Sequence, residues 1–243
     1  MKLARTCFLL IPISLAGGLA ACNATLPQIA ETGATVAGAA GYNNQAQMIR
    51  AIKEALELGS NRAATGLSAP GGYANSSLYR IELPANIQPL ASKLRQFGLG
   101  SQLDKVEALM NQGAEKAAVE ARGVFVDAVR NMSVTDALGI IRGGNTAATD
   151  YFRVQTEASL RQRYQPIIQQ NLEQIGFYAQ YKQLLNTYNM LPLANKPGLD
   201  LEQHVLDMAL DGLFKQVAVE EQQIRKDPVG RGSQIIGAVF GKK

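Results

Sequence analysis

The chain has 243 residues, 47% of them hydrophobic and 18% charged, which suits one large domain or two small ones with a packed core. Its formal charge is only +4, and no Lys/Arg stripe or known module argues for a nucleic-acid partner. The only cysteines, Cys7 and Cys22, lie near the N-terminus, so the rest of the chain has no disulfide, thiol nucleophile or Cys-ligated zinc.

Lys2 and Arg5 precede a short apolar run, Phe8 to Leu15, and then Leu19-Ala20-Ala21-Cys22. The run is too short to span a membrane, which needs ~20 apolar residues, and reads as a secretory signal. The small-small-Cys ending resembles a bacterial lipobox, so Cys22 is the expected lipidation site and residues 1–21 the signal peptide. A plain signal-peptidase site also ends in small residues but needs no cysteine there. Cleavage would leave 222 residues and, with Lys2 and Arg5 gone, a charge of +2. Residues 22–44 are rich in Ala, Gly, Thr and Asn and carry one charge, Glu31. They are expected to form a flexible tether with a reach of roughly 25 Å. The alternative is that residues 36–40 pack on the domain.

Residues 45–243 are expected to form a single all-α domain of about eight helices. The first helix covers 45–67, because Ile49, Ile52, Leu56, Gly59, Ala63 and Leu67 share one face, and Pro70-Gly71-Gly72 ends it. Leu78 to Leu83 permits a short edge strand or an extended connector. A short helix over 86–97 stops at Gly98-Leu99-Gly100. A long one then opens at Ser101, its seam running from Leu103 through Val106, Met110, Gly113, Ala117, Ala121 and Val124 to Ala128. Its small central residues, Gly113 and Ala117, predict a close helix crossing.

Ser133, with Asp136 behind it, caps a further helix closed by Gly143-Gly144. Residues 145–163 are helical by pattern, and Pro166 is expected to kink or split them from a partner running to about 188. Asp200 to Lys226 gives the strongest helix pattern. Asp227-Pro228 is expected to start a last one containing Ile235, Ile236, Val239 and Phe240.

On the helix from Asp200, the residues Asp200, His204, Asp207, Asp211 and Lys215 fall within roughly 80° of one another. Three carboxylates and the only histidine on one face are a candidate polar site, for a divalent cation or for a general base with an orienting acid. A solvated face with His204–Asp200 and Asp211–Lys215 pairs accounts for the same residues. No H-E-x-x-H spacing, G-x-S-x-G elbow, P-loop or dinucleotide fingerprint is present, so no metal, cofactor or catalytic residue is assigned. Tyr151, Phe152, Tyr164, Phe177, Tyr178, Tyr181 and Tyr188 crowd one stretch, as ordinary core or as the lining of an apolar cavity. Glu115, Glu202, Glu220 and Glu221 are candidates for ion pairs with Arg122, Arg225 or Arg231.

Four ordered blocks carry a family likeness. They are Met110-Asn111 with Ala114-Glu115-Lys116-Ala117; Met132-Ser133 with Asp136-Ala137; Ala147-Ala148-Thr149 with Tyr151-Phe152; and Ala209-Leu210-Asp211-Gly212-Leu213-Phe214 with Glu220-Glu221, Ile224-Arg225, Asp227-Pro228 and Arg231. Together they resemble the bacterial envelope family catalogued as domain of unknown function 4197. Gln112-Gly113 stands where Arg-Ala is expected, and Gly230 where Ala is usual. The resemblance implies a secreted protein or lipoprotein and carries over no catalytic residue. The resulting expectation is a helical protein anchored through acylated Cys22 to the membrane, and facing the periplasm. Asn23 after the cysteine points to the outer membrane. Its expected role is binding an envelope partner or an apolar ligand. The alternative is an enzyme or metal site on the Asp200, His204, Asp207 and Asp211 face.

Overall fold

The computed structural model describes residues 32–174, 176–190 and 200–240. The expected signal peptide, Cys22 and the first part of the expected tether lie outside the described residues. The chain divides into two units, Met1–Gly41 and Tyr42–Lys243. In the first, the described residues are helical from Thr32.

Nine α-helices and no strand occur among the described residues. Helix α1 (Thr32–Ser68) starts well before the expected 45. Its seam is the one the spacing predicts, with Ile52, Leu56, Ala63 and Leu67 all buried. Gly71 and Gly72 stop it for two reasons. Gly71 has φ +83°, and a Cβ on Gly72 would sit 2.5 Å from the carbonyl oxygens of Gly66 and Leu67, closer than any side chain tolerates.

The connector 69–84 carries no paired strand. It leads through a 3-10 turn (Ala85–Ile87) into α2 (Gln88–Leu94). A π-helical turn (Arg95–Leu99), broken by Gly98 at φ 82°, joins α2 to α3 (Gly100–Ala118). The long helix expected to reach Ala128 is divided: Val119 and Glu120 form a tight turn before α4 (Ala121–Arg130). Both residues keep near-helical dihedrals and the Glu120 N–H bonds back to Ala117. The apolar spacing therefore continues across a break that periodicity alone does not reveal.

Helix α5 (Val134–Arg142) opens with a complete capping box between Ser133 and Asp136, which satisfies two otherwise orphaned N–H groups. Helix α6 (Ala147–Gln174) contains Pro166 without being split by it. The interruption falls instead beside Gly176, at φ +78°, ahead of α7 (Phe177–Met190). Helix α8 (Leu201–Lys226) has Asp200 as N-cap, its carboxylate accepting the Gln203 N–H. The last helix, α9 (Gln234–Phe240), does not start at Asp227-Pro228 as expected. Those residues form a turn in which Asp227 accepts the Gly230 N–H, and the Ser233 hydroxyl instead accepts the Ile236 N–H at the start of α9.

Helices α3, α6 and α8 pack around one core with α4. Phe125, Phe152 and Phe214 meet at its centre, with ring centroids 4.7 Å and 6.3 Å from Phe125. Gly113 lies at the expected close crossing, since a Cβ there would be 3.0 Å from Leu172 of α6; Ala117 is wholly buried one turn on.

Candidate functional site

Three polar assemblies stand out, and two of them prove to be parts of the scaffold. The first is on α3. Glu107, Asn111 and Glu115 recur every four residues on one helix face, all buried, and they hold the extended connector by its backbone. Asn111 Oδ1 accepts the Ile81 N–H at 2.9 Å while its Nδ2 donates to the Ile81 carbonyl at 2.8 Å. One side chain thus replaces the neighbouring strand that Ile81 lacks. Glu115 accepts the N–H groups of Tyr73 and Ala74, and Glu107 those of Leu83 and the Arg80 guanidinium.

From the other side, α8 completes the clasp. Tyr73 passes its ring over Gly212, where a Cβ would be 2.8 Å away, and its hydroxyl donates to the Ala209 carbonyl at 2.7 Å. Burial, the nearby Tyr164 and the Glu115 charge push that phenol well above its ordinary pKa. His204 Nε2 lies 2.8 Å from the Glu82 carbonyl oxygen and donates to it.

The second assembly is the stripe on α8. The structure brings Asp200, His204, Asp207 and Asp211 onto one face and gives each a different partner. Asp200 caps the helix and also lines a polar cavity of about 180 Å³ with Glu202, Gln203, Gln165 and Gln169. His204 is engaged with the connector. Asp207 pairs with Arg161 of α6, and Asp211 with Lys215 at 2.7 Å and with Arg153 of α6 at 3.8 Å. Partial burial raises the Asp207 pKa, but the hydrogen bonds from Gln203 and Arg161 and the Arg161 charge outweigh it. The carboxyl is held below its ordinary value. No group of three His, Cys, Asp or Glu side chains among the described residues is placed to hold a metal ion.

The third assembly lies where the α5–α6 loop, the end of α8 and α9 meet. Glu221, buried on α8, accepts the N–H groups of Ala148 and Thr149 and the Thr149 hydroxyl, which caps α6 from a neighbouring helix. Arg225 balances it at 2.8 Å and donates to the Ile140 carbonyl. Beside this pair is a narrow apolar slot of about 30 Å³, lined by residues that include Ile52, Leu56, Phe152, Val217 and Ile224, with room for about one water. A larger cavity of about 580 Å³ adjoins it, and Arg225 and Phe240 line both. Its size lies in the range of small-molecule sites.

Of the ion pairs expected from sequence, Asp211–Lys215 and Glu221–Arg225 form among the described residues. Glu115 takes backbone N–H groups, Arg122 donates to Thr65, and Glu202 accepts the Tyr178 hydroxyl and Gln169. Within the aromatic-rich stretch, Phe152 and Tyr164 are core. The side chains of Phe177 and Tyr188 lie outside the described residues. Sequence reasoning did not find the Asn111 clasp or the 580 Å³ cavity. A buried-register Asn flanked by Glu at i−4 and i+4 was the available signal for the first. No local signal marks the second, because its lining comes from three separate stretches.

No curated protein and no solved structure matches the chain. Asn111, Glu115, Ala148, Thr149, Asp211, Glu221 and Arg225 of these assemblies fall within the blocks noted in the sequence, and a family model covers residues 42–241. The chain therefore belongs to the family described as protein of unknown function, DUF4197.

Proposed function

We propose that this protein is a lipid-anchored binding module of the bacterial envelope, held by acylated Cys22 and facing the periplasm, that takes a small ligand in the cavity between the α5–α6 loop, α8 and α9. The single observation that carries the binding reading is that cavity of about 580 Å³, with the apolar slot alongside it. The address rests on the signal-like N-terminus ending in Leu19-Ala20-Ala21-Cys22. No helix among the described residues is long and apolar enough to cross a membrane, which is compatible with a covalent lipid as the anchor. The engagement of Asp200, His204, Asp207 and Asp211 with four separate partners supports binding over catalysis on that face.

The test is native mass spectrometry of the protein extracted from envelope membranes. The wild type should carry a non-covalent small molecule, and Asn145→Trp, which fills the cavity from an exposed position, should lose it. A wild type with no bound molecule, or a variant that keeps it, refutes the binding site. Membrane fractionation tests the anchor: Cys22→Ser should release a soluble or precursor form, and unchanged fractionation and mass would rule the anchor out.

A further inference from the structure

We infer that the cavity beside α9 is an anion site whose ligand carries phosphate, an assignment that rests on the binding reading above. Three cations line it: Arg142 from the end of α5, and Arg225 and Lys226 from the end of α8. No carboxylate among the described residues does. The amides of Asn145 and Gln222 add hydrogen-bond donors, and Val239 and the Phe240 ring supply an apolar wall. The Arg225 guanidinium lies over that ring, 5.5 Å from its centroid, which fixes its plane.

Helix geometry explains each cation singly, because Lys and Arg are favoured in a last turn by the negative pole of the helix. It does not explain why two such ends converge on one cavity that no carboxylate among the described residues lines. Arg225 is neutralised by Glu221, but Arg142 and Lys226 form no ion pair with any described residue. The acids nearest in sequence are occupied elsewhere: Asp136 with Ser133, Asp150 with Thr146, and Asp227 with the Gly230 N–H.

Counting half a charge for each helix pole, three cations and the α6 N-terminus stand against Glu221 and the C-termini of α5, α8 and α9, which ends at Phe240. The cavity is left positive by roughly one elementary charge. Arg offers a planar fork of donors and Lys a compact point charge, the two side chains used to hold phosphate oxygens. The phosphate can belong to a free phosphate compound or to a lipid headgroup, since both present the same oxygens to the three cations.

Titration calorimetry on the full chain separates these sources. The probes are pyrophosphate and dihexanoylphosphatidylglycerol below its micelle concentration, with dihexanoylphosphatidylcholine as the zwitterionic control. At least one anionic probe should bind saturably at low salt. That binding should disappear at about 1 M salt, where the screening length is ~3 Å. Arg142→Gln with Lys226→Gln should weaken it at least tenfold (about 1.4 kcal/mol) without changing the melting temperature, since both side chains are exposed. Gln222→Glu, which removes no cation, should weaken it as well. Pyrophosphate binding alone identifies a free phosphate compound, and lipid binding alone a headgroup. No saturable anion binding, binding that the zwitterionic control matches, or affinities within twofold of wild type in both variants would overturn the proposal. Failure of this site alone is recognisable: the co-purified molecule would be lost in Asn145→Trp yet retained in Arg142→Gln with Lys226→Gln.

Discussion

Replacing Asn111 by Ala is the most direct test of how this fold is held. Asn111 is 1% exposed and makes three side-chain hydrogen bonds, two to Ile81 and one to the Glu107 carbonyl. The Glu107 carbonyl stays in the α3 ladder after truncation, so only the N–H and C=O of Ile81 are orphaned. Ile81 is itself fully buried, so water does not replace the lost partner unless the connector opens. At ~1–3 kcal/mol for each unsatisfied buried group, the loss is about 2–6 kcal/mol, with about 3 kcal/mol expected. Urea unfolding followed by far-UV circular dichroism measures it.

Asn111→Asp sharpens the test. It keeps an acceptor for the Ile81 N–H but turns a second anionic oxygen toward two carbonyls, beside Glu107. Burial and the facing carbonyl oxygens should push the introduced carboxyl above its ordinary pKa in the folded state. Its protonated form therefore fits best, and the deficit against wild type should be largest at neutral pH, narrow as pH falls through the raised folded value, and stay constant below about 4. A loss under about 0.5 kcal/mol for Asn111→Ala, or a pH-independent deficit for Asn111→Asp, would show that the connector does not depend on this side chain.

Three further outcomes are expected. Ala117→Leu should overpack the α3 crossing by roughly 1–3 kcal/mol, and an unchanged melting temperature would contradict the wholly buried position of Ala117. Tyr164 is fully buried with a hydroxyl that has no hydrogen-bond partner among the described residues, and burial drives its phenol pKa far up. Tyr164→Phe should thus be as stable as wild type or up to ~1 kcal/mol more so, and a clear loss in thermal unfolding would mean the hydroxyl is satisfied. Asp207 has a folded pKa below its unfolded one, so its stabilisation is fully present above the unfolded carboxylate pKa and fades as pH falls through the folded value. The gap in urea midpoint between wild type and Asp207→Asn should stay constant above about pH 5 and shrink below about pH 4; a constant gap down to pH 2 or so would dismiss the Arg161 pair as its source.

The sequence determined the fold class, because apolar spacing of three and four recurs along most of the chain and survives any arrangement of the helices. It also marked the Ser133 cap, the Asp200 start of α8 and the α3 crossing at Gly113, all of which depend on contacts within a few residues or on side-chain size alone. It misplaced the breaks at Val119-Glu120 and Gly176, where near-helical dihedrals or a single glycine decide, and of the kink or split expected at Pro166 the split does not occur. Tertiary structure alone decided what the polar residues do. Glu115 and Glu221 read as ion-pair candidates; Glu221 does pair with Arg225, and both also accept backbone N–H groups of distant segments, because a buried carboxylate is stabilised by whichever donors packing brings to it. The stripe from Asp200 to Asp211 is a true helix face, but α6 and the connector divide it among separate partners. The cation-lined cavity required the ends of α5 and α8 to meet, and a meeting of helix ends 84 residues apart (Arg142 and Lys226) has no signature in either stretch.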